Sequence, residues 1–165
     1  MAISSSPASA PTAVTTTPAS GSAGGVDIYS WLPFTQQGLA AAAAVTQKFL
    51  VDYNTYSYTE SAADYVARMN GLITPQEATT LKGLYATPGV AKIRTDQKQT
   101  STGTASITAL RTFGPSSLTF IATGTQHLAT AKGTSSGSAQ YAVTVTGSGT
   151  SWQVSDIELS SVGQS

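Results

Sequence analysis

"LAAAAAVTQKFLVDYNTY", residues 39–56, is the stretch that decides the fold. Leu39, Ala42, Val45, Thr46, Phe49, Leu50, Tyr53 and Tyr56 recur at three- and four-residue steps and fall within about 120° of one helical face. Gln47, Lys48, Val51 and Asn54 take the other side, with Asp52 at the boundary. The run Ala40–Ala44 has high helix propensity, and its small side chains let the helix approach a second layer closely. Such a stripe must be buried against another element.

Downstream, two shorter helices are expected. Ser61-x-x-Asp64 fits a capping box, followed by the stripe Tyr65, Met69, Leu72 and Ile73. Thr74-Pro75-Gln76-Glu77 is a stronger start signal, with Thr as N-cap, Pro at the first helical position and Glu at the third. Ala78, Leu81, Leu84 and Tyr85 form the apolar face of this third helix, and Pro88-Gly89 ends it.

After residue 90 the period becomes two. Ala91, Ile93 and Thr95 alternate with Lys92, Arg94 and Asp96, and Ala105, Ile107 and Ala109 alternate with Ser106 and Thr108. Leu118, Phe120 and Ala122 form one further phase; Tyr141, Val143 and Val145 form another. Trp152 and Val154 continue the pattern, then the apolar phase slips to Ile157 and Leu159, which places a β-bulge around Ser155-Asp156. Short turn-rich links such as "STG" and "GPSS" make an antiparallel meander. The fold class is therefore α+β, with three N-terminal helices packed on a curved antiparallel sheet of four to five strands.

The length, 165 residues, allows one domain and a tail. Residues 1–25 carry no charge and no aromatic residue, and are expected to form a disordered Ser/Thr/Pro/Ala linker. As a flexible chain, residues 2–25 would span roughly 25–30 Å. Residues 26–165 then make a single α+β domain, with order beginning near Val26. Eight Lys and Arg balance eight Asp and Glu, so no net field steers the chain toward nucleic acid. There is no cysteine, and His127 is the only histidine, which removes thiol chemistry and a His-rich metal site. No run of about 18 apolar residues is present, and the N-terminus shows no charged region followed by an apolar stretch, so no signal peptide is expected.

Helices followed by a sheet ending in Trp152-x-Val154-x-Asp156-Ile157 resemble the nuclear-transport-factor-two-like cone fold over about residues 36–162. Low charge and an upstream spacer make the chain look most like two extracytoplasmic branches. One comprises the assembly proteins of type IV secretion and Gram-positive conjugation machines. The other comprises the mammalian-cell-entry-associated proteins. The resemblance implies a non-enzymatic scaffold or assembly component exposed on the outer face of the cytoplasmic membrane. It implies other machine components as partners, self-association, and a membrane tether through a segment this chain lacks, as if cut from a longer protein. No catalytic residue, cofactor or metal is expected. The alternatives are a small-molecule-binding protein or enzyme of the same superfamily, or an accessory of a lipid-import system.

Few side chains look chemical. Tyr53, Tyr56 and Tyr65 are candidates to line a concave pocket beside Trp152, their hydroxyls orienting a small ligand. The competing assignment is a set of amphipathic side chains at the rim of a core. A deep pocket holding Tyr53, Tyr65 and a perturbed carboxylate would favour the binder; an interior filled by Phe49 and Met69 would favour the scaffold. His127 falls on the Thr side of its strand and faces solvent. Asp52, Asp64 and Asp156 are the carboxylates nearest the cavity, of which Asp64 is already used as a cap and Asp156 by the bulge. Lys92, Arg94 and Lys98 share a face of the expected first strand, either to greet an acidic partner or to keep an edge strand soluble.

Overall fold

The computed structural model describes residues 28–161. A 3₁₀ turn (Ile28–Trp31) leads into α1 (Gln36–Tyr53), β1 (Tyr56–Ser57), α2 (Ala62–Arg68), α3 (Pro75–Tyr85) and α4 (Pro88–Asp96). Four longer strands follow: β2 (Thr100–Gly114), β3 (Ser117–Thr130), β4 (Gly133–Ser148) and β5 (Ser151–Leu159). The sheet runs β1-β2-β3-β4-β5, and every neighbouring pair is antiparallel. The fold is α+β, as the residue pattern implies. The expected linker over residues 1–25 and the start of order near Val26 lie outside the described residues.

α1 begins where Thr35 accepts a hydrogen bond from the Gly38 amide at 3.0 Å. Its buried stripe is Ala42, Thr46, Phe49 and Leu50, and the Thr46 hydroxyl is satisfied by donating to the Ala42 carbonyl at 2.9 Å. At the other end Asn54 closes the helix, its side-chain amide donating to the Leu50 carbonyl at 2.9 Å. Tyr56 therefore leaves the helical stripe and pairs instead as a strand residue with Ser101.

The stripe lies on the inner face of the sheet, against Leu118, Phe120 and Ala122 of β3 and Val143 and Val145 of β4. Trp152 and Val154 of β5 complete the layer, with Met69 after α2 and Leu81 of α3 closing it from outside. Phe49 and Met69 are both fully buried. α1 can come this close because two inward positions on adjacent strands are glycine. A Cβ at Gly103 would stand 2.4 Å from the Val51 carbonyl oxygen, and one at Gly124 would stand 2.6 Å from Asn54 Nδ2. The opposite face is polar, with Thr119 and Thr144 hydroxyls 2.9 Å apart and those of Thr125 and Ser138 2.7 Å apart.

Both caps form as expected: Ser61 accepts from the Asp64 amide and Thr74 from the Glu77 amide. The bulge also forms where the phase slips, because Thr144 faces Asp156 while Val145 faces Val154, leaving Ser155 unopposed. The outer edge of β5 is covered by the α2–α3 link. Thr74 N donates to the Val154 carbonyl at 2.9 Å, and Val154 N donates to the Leu72 carbonyl at 2.7 Å.

Two elements differ, the first being the short strand β1 (Tyr56–Ser57), which stands where the helical stripe was expected to run on to Tyr56. The residues expected to form a first strand, 91–96, are the body of helix α4, so the described residues hold four α-helices and not three. Thr87-Pro88 opens this helix instead of merely terminating α3, since Pro at the first helical position costs no hydrogen bond. Lys92 and Asp96, one turn apart, pair at 2.6 Å. The inside-out relation is reversed as well: Ile93 is exposed and Arg94 is buried. Leu84, expected on the buried face of α3, is exposed too. Lys98 lies past the helix end, in a left-handed conformation at φ 51°.

Candidate functional site

Where α1 ends, five tyrosines from five different elements meet. Tyr53 comes from α1, Tyr56 from β1, Tyr65 from α2, Tyr85 from α3 and Tyr141 from β4. The rings of Tyr65 and Tyr85 stack at 4.1 Å with 14° between planes. The Arg94 guanidinium lies 3.6 Å from the Tyr85 ring centre, so that ring is clamped between a ring and a cation. Tyr56 meets Tyr85 edge-on at 6.3 Å, and Tyr53 meets Tyr141 edge-on at 5.8 Å. Together they line an open cleft of ≈ 260 Å³, which Gln99, Gln126, Leu84 and Val90 complete.

Two hydroxyls are spent on the backbone. Tyr65 donates to the Tyr53 carbonyl at 2.8 Å, and Tyr85 donates to the Ser57 carbonyl at 3.2 Å. Among the described residues, the hydroxyls of Tyr53, Tyr56 and Tyr141 make no hydrogen bond to the protein. Burial pushes the pKa of all five upward; at Tyr53 the neighbouring Tyr141 and Glu77 add to it, and at Tyr56 and Tyr85 the Arg94 charge opposes it. At neutral pH these are protonated hydroxyls, able to donate hydrogen bonds and unfit to act as bases.

The charged candidates are scattered around this cleft. Glu77 is buried, and its pKa is raised first by desolvation and then by Asp156, but its side chain is not among those lining the hollow. Asp52 pairs with Lys48 at 2.9 Å, and Asp64 accepts from the Ser61 hydroxyl at 2.6 Å. His127 is exposed on the polar face of the sheet, with Nδ1 2.9 Å from the Ser136 hydroxyl. No group of three or more potential metal ligands occurs among the described residues.

The structure thus joins Tyr53, Tyr56 and Tyr65, but not Trp152. Trp152 is buried elsewhere, packed edge-on against Phe34 at 5.4 Å and donating from Nε1 to the Gly149 carbonyl at 3.0 Å. Lys92, Arg94 and Lys98 do not share a strand face: Lys92 is exposed beside Asp96, Arg94 turns into the cleft, and Lys98 sits in the turn. Tyr85, Tyr141 and Gln126 escaped the sequence reading as cleft residues. Their only local signal was an apolar-phase position, which in most chains means core.

No family model matches the chain, and no curated protein matches it. Solved structures do. An IcmL-like type IV secretion system protein from Legionella pneumophila subsp. pneumophila str. Philadelphia 1 superposes with a TM-score of 0.57 at 11% identity, covering 72% of this chain and 89% of that one. The periplasmic domain of DotI gives 0.58 at 11% identity, covering 73% and 93%. A periplasmic fragment of TraM gives 0.50 at 6% identity, covering 72% and 94%. The likeness is one of fold, and it agrees with the resemblance carried by residues 36–162 to the extracytoplasmic domains of type IV secretion proteins.

Proposed function

We propose that this domain is a non-enzymatic scaffold component of a conjugative transfer or type IV secretion machine, exposed outside the cytoplasmic membrane. The observation that carries this reading is the fold shared, over nearly three quarters of the chain, with three structures named for secretion-system or periplasmic domains. The interior supports it, because the space between helix and sheet is filled by Phe49, Met69 and Leu118. The tyrosine hydroxyls are held protonated and the one histidine faces outward, an arrangement suited to surface contacts more than to proton transfer. Its partners are other components of the machine, including further copies of this chain.

Deleting the gene from a donor cell is expected to abolish transfer, and a plasmid copy to restore it. In intact spheroplasts the domain should be open to added protease. Undiminished transfer, or a protease-protected domain, excludes the reading.

The tyrosine cleft favours a second reading, a binder of a small ligand. Its size narrows that reading. Pockets for drug-sized ligands hold roughly 300–1,000 Å³, and at ≈ 260 Å³ this one takes a side-chain-sized group and not a polycyclic molecule.

A further inference from the structure

We propose that the tyrosine cleft binds the carboxylate of an acidic side chain, presented by an extended segment of a partner protein with apolar residues flanking it, and that Arg94 is the counter-charge.

Arg94 is 8% exposed, and a buried arginine is ordinarily paired with a carboxylate. Among the described residues the ion pairs are Lys48–Asp52, Arg68–Glu60 and Lys92–Asp96; Arg94 joins none of them. Its one hydrogen bond runs from Nη2 to the Tyr85 carbonyl at 2.8 Å. A guanidinium has five N–H donors, so most remain unused. No buried side-chain nitrogen among the described residues lacks a partner, so the remaining nitrogens must reach solvent, and the solvent beside this residue is that of the cleft. The contacts with Tyr85 at 3.6 Å and Tyr56 at 5.8 Å steady the cation without neutralising it.

The surroundings suit a carboxylate. Tyr53, Tyr56 and Tyr141, whose hydroxyls make no hydrogen bond among the described residues, and Gln126 line the same hollow, and all carry groups able to donate to an anion. A planar carboxylate matches the guanidinium fork. The aliphatic residues Leu84, 60% exposed, and Val90, 53% exposed, line the cleft as well. Exposed aliphatic side chains around a buried cation complement an acidic residue set between apolar ones. The hollow, ≈ 260 Å³, admits one such side chain.

This site does not depend on the scaffold reading, since binding is measured on purified protein and transfer in cells. The 165-residue chain, isotopically labelled, is titrated by NMR with the capped peptide Ala-Leu-Asp-Leu-Ala and with its Asp→Asn counterpart. Saturable shifts are expected at the Tyr53, Tyr56 and Tyr141 rings and the Gln126 amide. The Asn peptide should bind about tenfold more weakly, as should the Asp peptide to Arg94→Gln. Because Arg94→Gln also loosens Tyr85, the unmodified protein supplies a second measure: added salt should weaken the Asp peptide and spare the Asn peptide. Equal affinity for both peptides, shifts centred elsewhere, absence of saturation, or inorganic phosphate occupying the cleft where the Asp peptide does not, would each overturn the proposal.

Discussion

Asn54 lies so close to Gly124 that a Cβ on the glycine would stand 2.6 Å from the asparagine Nδ2. One strand over, Gly103 is pressed against the Val51 carbonyl and Asn54 in the same way. The end of α1 is thus seated in a notch two glycines wide, which brings Tyr53 down to the level of Tyr141. Gly103→Ala is expected to destabilise the domain by about 3 kcal/mol, since the obstacle is backbone and cannot rotate aside. Urea unfolding measures this, and a neutral result would mean that the helix can lift off the sheet at little cost.

The stacked tyrosines differ in what their hydroxyls do. Tyr65 is buried and bonds the Tyr53 carbonyl at 2.8 Å, whereas the Tyr85 bond to Ser57 is longer, at 3.2 Å. Tyr65→Phe should therefore cost about 1–2 kcal/mol, by stranding that carbonyl, and Tyr85→Phe less. The reverse order in chemical denaturation would contradict the assignment.

Trp152 belongs to the core and not to the cleft. Trp152→Ala is expected to cost about 3–5 kcal/mol while leaving the Tyr53 and Tyr141 ring resonances in place. Large shifts of those resonances in a still-folded variant would show that the two ends of the domain are coupled.

Glu77 confers a pH dependence of defined sign. Its carboxyl titrates above the ordinary 4.5 in the folded domain, because burial and then Asp156 oppose ionisation. The folded state therefore holds this proton more tightly than the unfolded chain does. Stability from this group is present below pH 4.5 and is lost as pH rises through the folded value. The melting temperature of Glu77→Gln relative to the parent should increase between pH 4 and pH 7. A constant difference across that range would remove Glu77 as the cause.

The five cleft tyrosines act in the same sense at alkaline pH. Each titrates above 10.0 when folded, so the unfolded chain ionises first and stability falls as pH passes 10. Tyrosinate absorbance should rise late and together with loss of helical circular dichroism. An early, independent rise would mean that the rings are freely solvated.

Most of the fold was legible because its signals are local. Ser61 and Thr74 announce helix starts through a side chain reaching an amide three residues on. The bulge at Ser155 shows as a one-residue slip in the apolar phase. Residues 91–96 misled for the same reason: Ala91, Ile93 and Thr95 alternating with charged Lys92, Arg94 and Asp96 fit a strand, whereas the backbone is helical, with Lys92 paired to Asp96 and Arg94 buried. Two unpredicted register shifts in β2, after Ile107 and after Leu110, leave no comparable mark in a Thr-rich stretch.

What the sequence determined alone is the order and kind of most elements, since periodicity, caps and turn residues act between neighbours in the chain. What only the tertiary structure decided is the cleft. Its tyrosines are separated by as many as 88 residues, from Tyr53 to Tyr141, and they meet because two glycines let α1 sink onto the sheet. Whether a buried-phase tyrosine ends in core or at a cleft depends on what the opposite layer leaves uncovered, and no short stretch of chain contains that information.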